Sequence, residues 1–334
     1  MMTGRLDDAI ELRLHELRAM QRGRGRDAKS PIEIPLRGWK DILLRTKDEI
    51  ASDRVSLAAA GVTFYLLLAL FPALAAFISI YGLLADPLTL SEHMAALRGV
   101  VPASVVEIVQ EELTRLSELP RGGLTFGVLF GLAAALWSAD AGTRALFEAM
   151  NIAYDETEKR GFVKLRLHSL AFTVGGIVFG VILLNVVVLL PALLEVFHLG
   201  GIYSAVSALG QAVLILVVAN AGIALLYRYG PSRANAKWRW IVVGSSAASL
   251  LWLLLSWVFS FYVANFEDYS ATYGSLGATV GLMMWIYLTS LVLVAGAELD
   301  SEIEHQTAQD TTTGAWKPLG ERGATMADTV GAKS

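Results

Sequence analysis

The residues of this chain that could do chemistry are few, and most lie inside apolar runs. Asn185, Gln211 and Asn220 interrupt stretches that are otherwise without polarity, and Glu298 closes the last such stretch. Ser249 and Ser256 belong to a series with Ser245 and Ser260 that falls on one helical face at 100 degrees per residue. A polar side chain in hydrocarbon needs a partner, so these groups face other helices or a wet cavity rather than lipid. Two roles fit them: hydrogen bonding between helices, or the lining of a polar substrate path. Pro72 removes a backbone hydrogen bond and predicts a kink near Leu68, which is tolerated where protein or water satisfies the freed carbonyl. Glu298 reads either as an interfacial acid paired with Arg144 or Arg228, or as a group at the inner mouth of a path. In the second role it contacts a cationic or zwitterionic head group or carries a proton. Arg144 and Glu148, four apart on one helix, read as an exposed ion pair.

Hydrolytic chemistry finds little support. His15, His93, His168, His198 and His305 are dispersed, with no HExxH spacing and no Walker-type glycine loop. The absence of cysteine excludes disulfides, thiolate metal sites and a Cys nucleophile. The serine series has no His or Lys beside it in sequence to act as a base. No catalytic residue, metal or cofactor is therefore expected. Arg22, Arg24 and Arg26 lie in a Gly- and Pro-containing linker without interleaved aromatics, and no nucleic-acid partner is expected from them.

The elements that must position the polar groups are membrane spans. With 54% hydrophobic and 17% charged residues, the composition is not that of an ordinary soluble domain. Uncharged runs at 55–85, 122–139, 169–194, 199–227, 241–266 and 269–297 predict six spans, so the fold class is an all-α, polytopic six-transmembrane-helix bundle. Residues 1–54 read as a cytoplasmic N-terminal region with amphipathic, interfacial helices over Leu6 to Met20 and Leu36 to Arg54. Residues 55–298 form the membrane domain, and 299–334 read as a cytoplasmic, largely disordered tail. The outer loop after the first span carries an amphipathic pattern through Val105, Val109, Leu113 and Leu116. Gly123, Gly127 and Gly131 recur every fourth residue, and Gly274, Gly277 and Gly281 share one face of the last span; both sets predict close helix contacts, within the chain or between copies in a homo-oligomer. Of the 27 Lys and Arg residues, 24 fall in the termini and the second and fourth loops, which puts both termini in the cytoplasm.

Several separated blocks resemble the YihY/BrkB-like bacterial membrane proteins, a group once labelled ribonuclease BN. They are Leu57-Ala-Ala-Ala-Gly-Val-Thr-Phe-Tyr65 with Leu70-Phe-Pro72, Leu136-Trp-Ser-Ala139 through Asn151 and Tyr154, Leu226-Tyr-Arg228 with Pro231, and Tyr262 through Tyr273-Gly-Ser275 to Gly296-Ala-Glu-Leu299. Asp300 stands where that group commonly has Asn, and Asp140 where a Ser is frequent. The resemblance implies a six-helix, multi-pass protein of the bacterial inner membrane, in contact with membrane lipids. Transport or flipping of an amphipathic, lipid-like envelope substrate is the leading expectation. A structural or assembly protein without a path is the rival, and a membrane-embedded hydrolase or nuclease stands third.

Overall fold

The computed structural model describes residues 23–84, 121–196, 202–265 and 276–332. Among them the chain is helical apart from loops and one isolated antiparallel bridge between Ala236 and Thr312. A single 3-10 turn, Pro31–Glu33, precedes α1 (Leu36–Ser52), α2 (Val55–Leu84), α3 (Arg121–Ala153), α4 (Phe162–Val196), α5 (Ile202–Tyr229), α6 (Trp238–Asn265), α7 (Leu276–His305) and the short α8 (Thr325–Asp328). The helices expected at Leu6 to Met20 and in the outer loop lie outside the described residues, as do Gly274 and the turn between α6 and α7.

Six long helices, α2 to α7, overlap the six expected segments. Among the described residues four stretches are long and apolar enough to cross a membrane: Phe162–Phe179, Ala212–Tyr229, Trp238–Tyr262 and Val280–His305. A fifth is counted if α1 and α2, bent by 59° at Asp53 and Arg54, act as one broken span. The bend needs a left-handed residue, and Arg54 supplies it at φ 50°. Unlike the helix of a soluble domain, α1 turns polar residues inward, with Asp41, Arg45 and Thr46 buried beside Ile42 while Leu36 and Leu43 are exposed.

Around α7 the other elements gather, since it packs against α1, α2, α3, α6 and α8. Close approach to its neighbours depends on glycines that the sequence pattern did not single out. A Cβ on Gly244 of α6 would collide with the Asp300 side chain, and one on Gly296 of α7 would collide with the Tyr227 hydroxyl and Ala248. At Gly281, by contrast, a Cβ would meet nothing within 4 Å, so the close contact expected there is not made by described atoms. Gly123, Gly127 and Gly131 lie on α3, which packs along α2, and Gly277 lies on α7. Pro72 lies within α2, whose helix runs through it.

The first residues of α2, α4 and α6 and the last of α3, α5 and α7 meet at one end of the bundle, here called the capped end. Val55, Phe147, Met150, Tyr154, Tyr227, Ile241 and Ala297 form its core. Its loops are stitched by Asn151 Oδ1, which accepts from the Ser232 amide at 2.7 Å, and by Ser232 Oγ, which accepts from the Lys159 amide at 2.9 Å.

The segment after His305 corrects the expectation of a disordered tail. Arg322 donates to four carbonyls, those of Lys317, Gln309, Ala327 and Ala308, at 2.6 to 3.2 Å. The Thr325 amide donates to Glu156 Oε1 at 2.7 Å, and Met326 enters the core of the capped end. Thr307 Oγ1 donates to the Ala28 carbonyl at 2.7 Å, and the Lys237 amide donates to the Thr311 carbonyl at 2.8 Å. Low hydrophobicity misleads here because main-chain carbonyls, rather than apolar side chains, supply most of the contacts. Arg24 and Arg26 likewise work internally, Arg24 on Asp41 and Arg26 on the carbonyls of Gln306 and Gly331.

Candidate functional site

Four acids follow at every second position on the last turns of α7: Glu298, Asp300, Glu302 and Glu304. All are 1% exposed. At 100 degrees per residue this spacing sends Glu298 and Glu302 to one side of the helix and Asp300 and Glu304 to the other. An ionised carboxylate removed from water needs a cation or several donors. Three of the four have them. Glu302 accepts from Arg45 Nε at 2.5 Å, with His305 Nδ1 at 3.5 Å from its other oxygen. Arg233 Nη1 donates to Glu304 at 2.5 Å, as does Thr311 Oγ1. Asp300 accepts from the Tyr154 hydroxyl at 2.8 Å and the Gly244 amide at 3.2 Å. The Arg233 guanidinium lies 4.1 Å from the centre of the Tyr154 ring. Burial, and then the neighbouring Asp300 charge, push the Tyr154 phenol well above its ordinary range, so it stays a donor.

Glu298 has no such partner among the described residues. Its Oε1 makes no hydrogen bond, and the group it meets is the carboxyl of Asp53 at the α1–α2 bend, with Glu49 and Asp155 behind. The pairing with Arg144 or Arg228 expected from sequence is not formed. Arg144 Nε donates to Asp140 at 3.0 Å. Arg228 donates to the Ala236 carbonyl and stacks 4.5 Å from the centre of the Trp238 ring. Two carboxyl oxygens in hydrogen-bond contact require one proton between them. Around this pair the backbone is held in an uncommon conformation, since Asp155 has φ 50° like Arg54 across from it. Burial first, and then the charge of Glu49, raise the Asp155 carboxyl; burial, then Asp155 and Glu49, raise Asp53.

The remaining polar groups do not join this cluster. Asn220 Nδ2 donates to Ser246 Oγ at 2.8 Å and to Ser249 Oγ at 3.4 Å, closing a contact between α5 and α6. Ser245 and Ser249 are fully buried and donate to carbonyls of their own helix. Ser256 Oγ is buried without a partner among the described residues. The side-chain surroundings of Pro72, Asn185 and Gln211 lie outside the described residues. No group of three or more His, Asp or Glu suited to a metal ion occurs among the described residues.

A second feature was not foreseen. A cleft of about 410 Å³ opens between α2 and α3, lined by Gly61, Val62 and Tyr65 on one wall and Arg144, Glu148 and Ile152 on the other. Asp140, one turn before Arg144 on α3, accepts from Arg144, from Arg166 Nη1 at 2.5 Å and from Ser169. The departure from the family pattern at Asp140 and Asp300 was the one sequence signal for these hubs. Asp53 gave none, because it reads as one more charge before a span.

The family model described as virulence factor BrkB matches residues 46–319. The chain is 32% identical over 254 residues to the ribonuclease-like protein YfkH of Bacillus subtilis, covering 73% of this chain and 88% of YfkH. It is 27% identical over 267 residues to the UPF0761 membrane protein IL2447 of Idiomarina loihiensis, covering 77% and 89%. A UPF0761 membrane protein of Tolumonas auensis is 34% identical over 104 residues, 30% of this chain and 34% of that one. No solved structure matches. The family description and the UPF0761 names carry no enzymatic activity; the ribonuclease wording belongs to the name of YfkH.

Proposed function

The chain belongs to the BrkB virulence-factor family of bacterial membrane proteins, and from that premise we propose that it moves an amphipathic, lipid-like envelope substrate across the inner membrane, with Glu298 carrying a proton at the cytoplasmic mouth. In this reading α2 to α7 each cross once and the capped end faces the cytoplasm, where the positive-inside rule puts the basic loops. Single cysteines at Glu267 and Ala332 then label from opposite sides; labelling from one side removes the six-span topology.

The observation that carries the reading is Glu298 facing Asp53 without a cation. A stability role would have matched this acid as it matched Glu302 and Glu304. A buried acid that shares a proton with a second carboxyl is instead a group that can take up and release that proton, and intramembrane acids of this kind mark proton and substrate pathways. Pro72, Asn185, Gln211 and Ser256 remain proposed contributors to the path, while Asn220 and Ser249 are engaged with each other. The test is lipid movement between leaflets in proteoliposomes under an imposed pH gradient. Wild type moves a labelled phospholipid, and Glu298→Gln stops movement with folded yield retained. Equal movement by both proteins removes Glu298 from the mechanism.

A structural or assembly role without a path is the second reading, and the closed contact of Asn220 with Ser246 and Ser249 favours it. Wild-type protein that leaves lipid distribution unchanged under any gradient decides for it.

A further inference from the structure

The α2–α3 cleft has a charge pattern that neither helix packing nor the acidic end of α7 uses. Arg144 gives only its Nε to Asp140, leaving its two terminal nitrogens without a partner among the described residues. Asp140 also neutralises Arg166, so two guanidinium groups share one carboxylate and the wall keeps a positive charge at Arg144. One turn closer to the capped end, Glu148 lines the same cleft, exposed and without a hydrogen bond or ion pair among the described residues. The expected Arg144–Glu148 pair is thus replaced by a vacant positive group and a vacant negative group on one wall. Between and opposite them lie Ala58, Val62, Ala145, Ala149 and Ile152, which are apolar.

Depth fixes what can fill such a site. At 1.5 Å per residue, counted from the end of the expected second span at residue 139, Arg144 lies ~8 Å and Glu148 ~14 Å along α3 toward the capped end. Exposed Phe162 and Trp238 at the neighbouring helix starts suit the interfacial level. Both charges therefore fall in the head-group layer, Glu148 at its outer edge. A ligand that offsets both must carry an anion and a cation a few ångströms apart, on an apolar body. We propose that the α2–α3 cleft is a head-group site for a glycerophospholipid bearing a primary ammonium, with its phosphate on Arg144 and its ammonium on Glu148. The inference rests on the transport reading only for the use made of the lipid, since binding stands or falls by itself.

Full-length protein purified from an equimolar mixture of phosphatidylethanolamine and phosphatidylglycerol is examined by native mass spectrometry for retained lipid. Wild type retains phosphatidylethanolamine over phosphatidylglycerol by about tenfold, the weight of one charge-assisted hydrogen bond. Glu148→Gln reduces that preference to about twofold or less. Gly61→Leu provides a second variant, because Gly61 lines the cleft and a Cβ there meets nothing within 4 Å, so the larger side chain takes up space in the cleft. It lowers retention of both lipids. Equal retention of the two lipids by wild type, an unchanged preference in Glu148→Gln, or full retention in Gly61→Leu each overturns the site. Lipid retained by a protein that moves none overturns the transport reading and leaves the site standing. Movement of lipid by a Gly61→Leu protein that retains none leaves the site standing and removes it from the transport path.

Discussion

Glu298→Gln should make the protein more stable, not less. The substitution keeps the shape of the side chain and replaces one carboxyl oxygen by an amide NH2. Facing Asp53, Glu298 can donate only by holding a proton, and keeping a carboxyl protonated at pH 7 against an ordinary pKa of about 4.3 costs about 3–4 kcal/mol; the amide donates to the same carboxylate without taking up that proton. The unpartnered position now held by Glu298 Oε1 stays unpartnered in the amide, so that cost cancels between the two proteins. The gain is therefore about 3–4 kcal/mol at neutral pH, visible as a rise of several degrees in Tm for a chain of this size. Thermal unfolding in one detergent at neutral pH, read by intrinsic fluorescence, is the assay. Had the acid been anchored by a cation, removing its charge would cost about 3–5 kcal/mol, as for any broken buried pair. A fall in Tm would refute the assignment of Glu298 as an unmatched acid, whatever the variant does to transport.

Asp53 should make stability depend on pH in the opposite sense to a salt-bridged acid. Its carboxyl is raised above the ordinary value of 3.8, so the native state holds the proton more tightly; stability is fullest below that value and is lost as pH rises through the raised one. Tm measured from pH 4 to 8 should decline in wild type and decline less in Asp53→Asn. Arg45→Met should cost about 3–5 kcal/mol by stranding Glu302, and Arg45→Met with Glu302→Gln should recover most of it in the same melt; equal losses would mean that the carbonyls of Glu302 and Ala332 matter more than the carboxylate. Gly244→Ala should lose about 1–3 kcal/mol because its Cβ meets the Asp300 side chain, and an unchanged Tm would mean that α6 and α7 separate there at little cost.

Helix identity and order were legible because each long apolar run has to satisfy its own backbone, and α2 to α7 fall on the six segments read from hydropathy. Pairings were less legible. For Arg144, spacing by four offers Asp140 and Glu148 equally, and Asp140 wins because Arg166 and Ser169 of α4 converge on it from a distance in sequence that no local rule sees. Glycine spacing pointed to Gly281, yet close approach falls on Gly244 and Gly296, where the partners are a carboxylate and a tyrosine hydroxyl. The tail was misread because composition measures apolar burial, while Arg322 and Thr307 hold that segment through carbonyl groups. Of the site, Glu298 was visible as the acid ending the last run, but Asp53 became its neighbour only through the bend at Arg54.

The cap joining Arg26 and Arg45 to the chain near residue 331 sets an order of events in biosynthesis. Arg26 and Arg45 are made early, yet the carbonyls of Gln306, Gly331 and Ala332 that they bind emerge from the ribosome some 300 residues later. Every helix can therefore be inserted before this end of the molecule closes, and Met326 reaches its core position only after α2, α3, α5 and α7 are in place. Closure then reports that all of them have arrived. A protease that samples the segment after His305 during maturation would discriminate finished from unfinished molecules without reading anything inside the membrane.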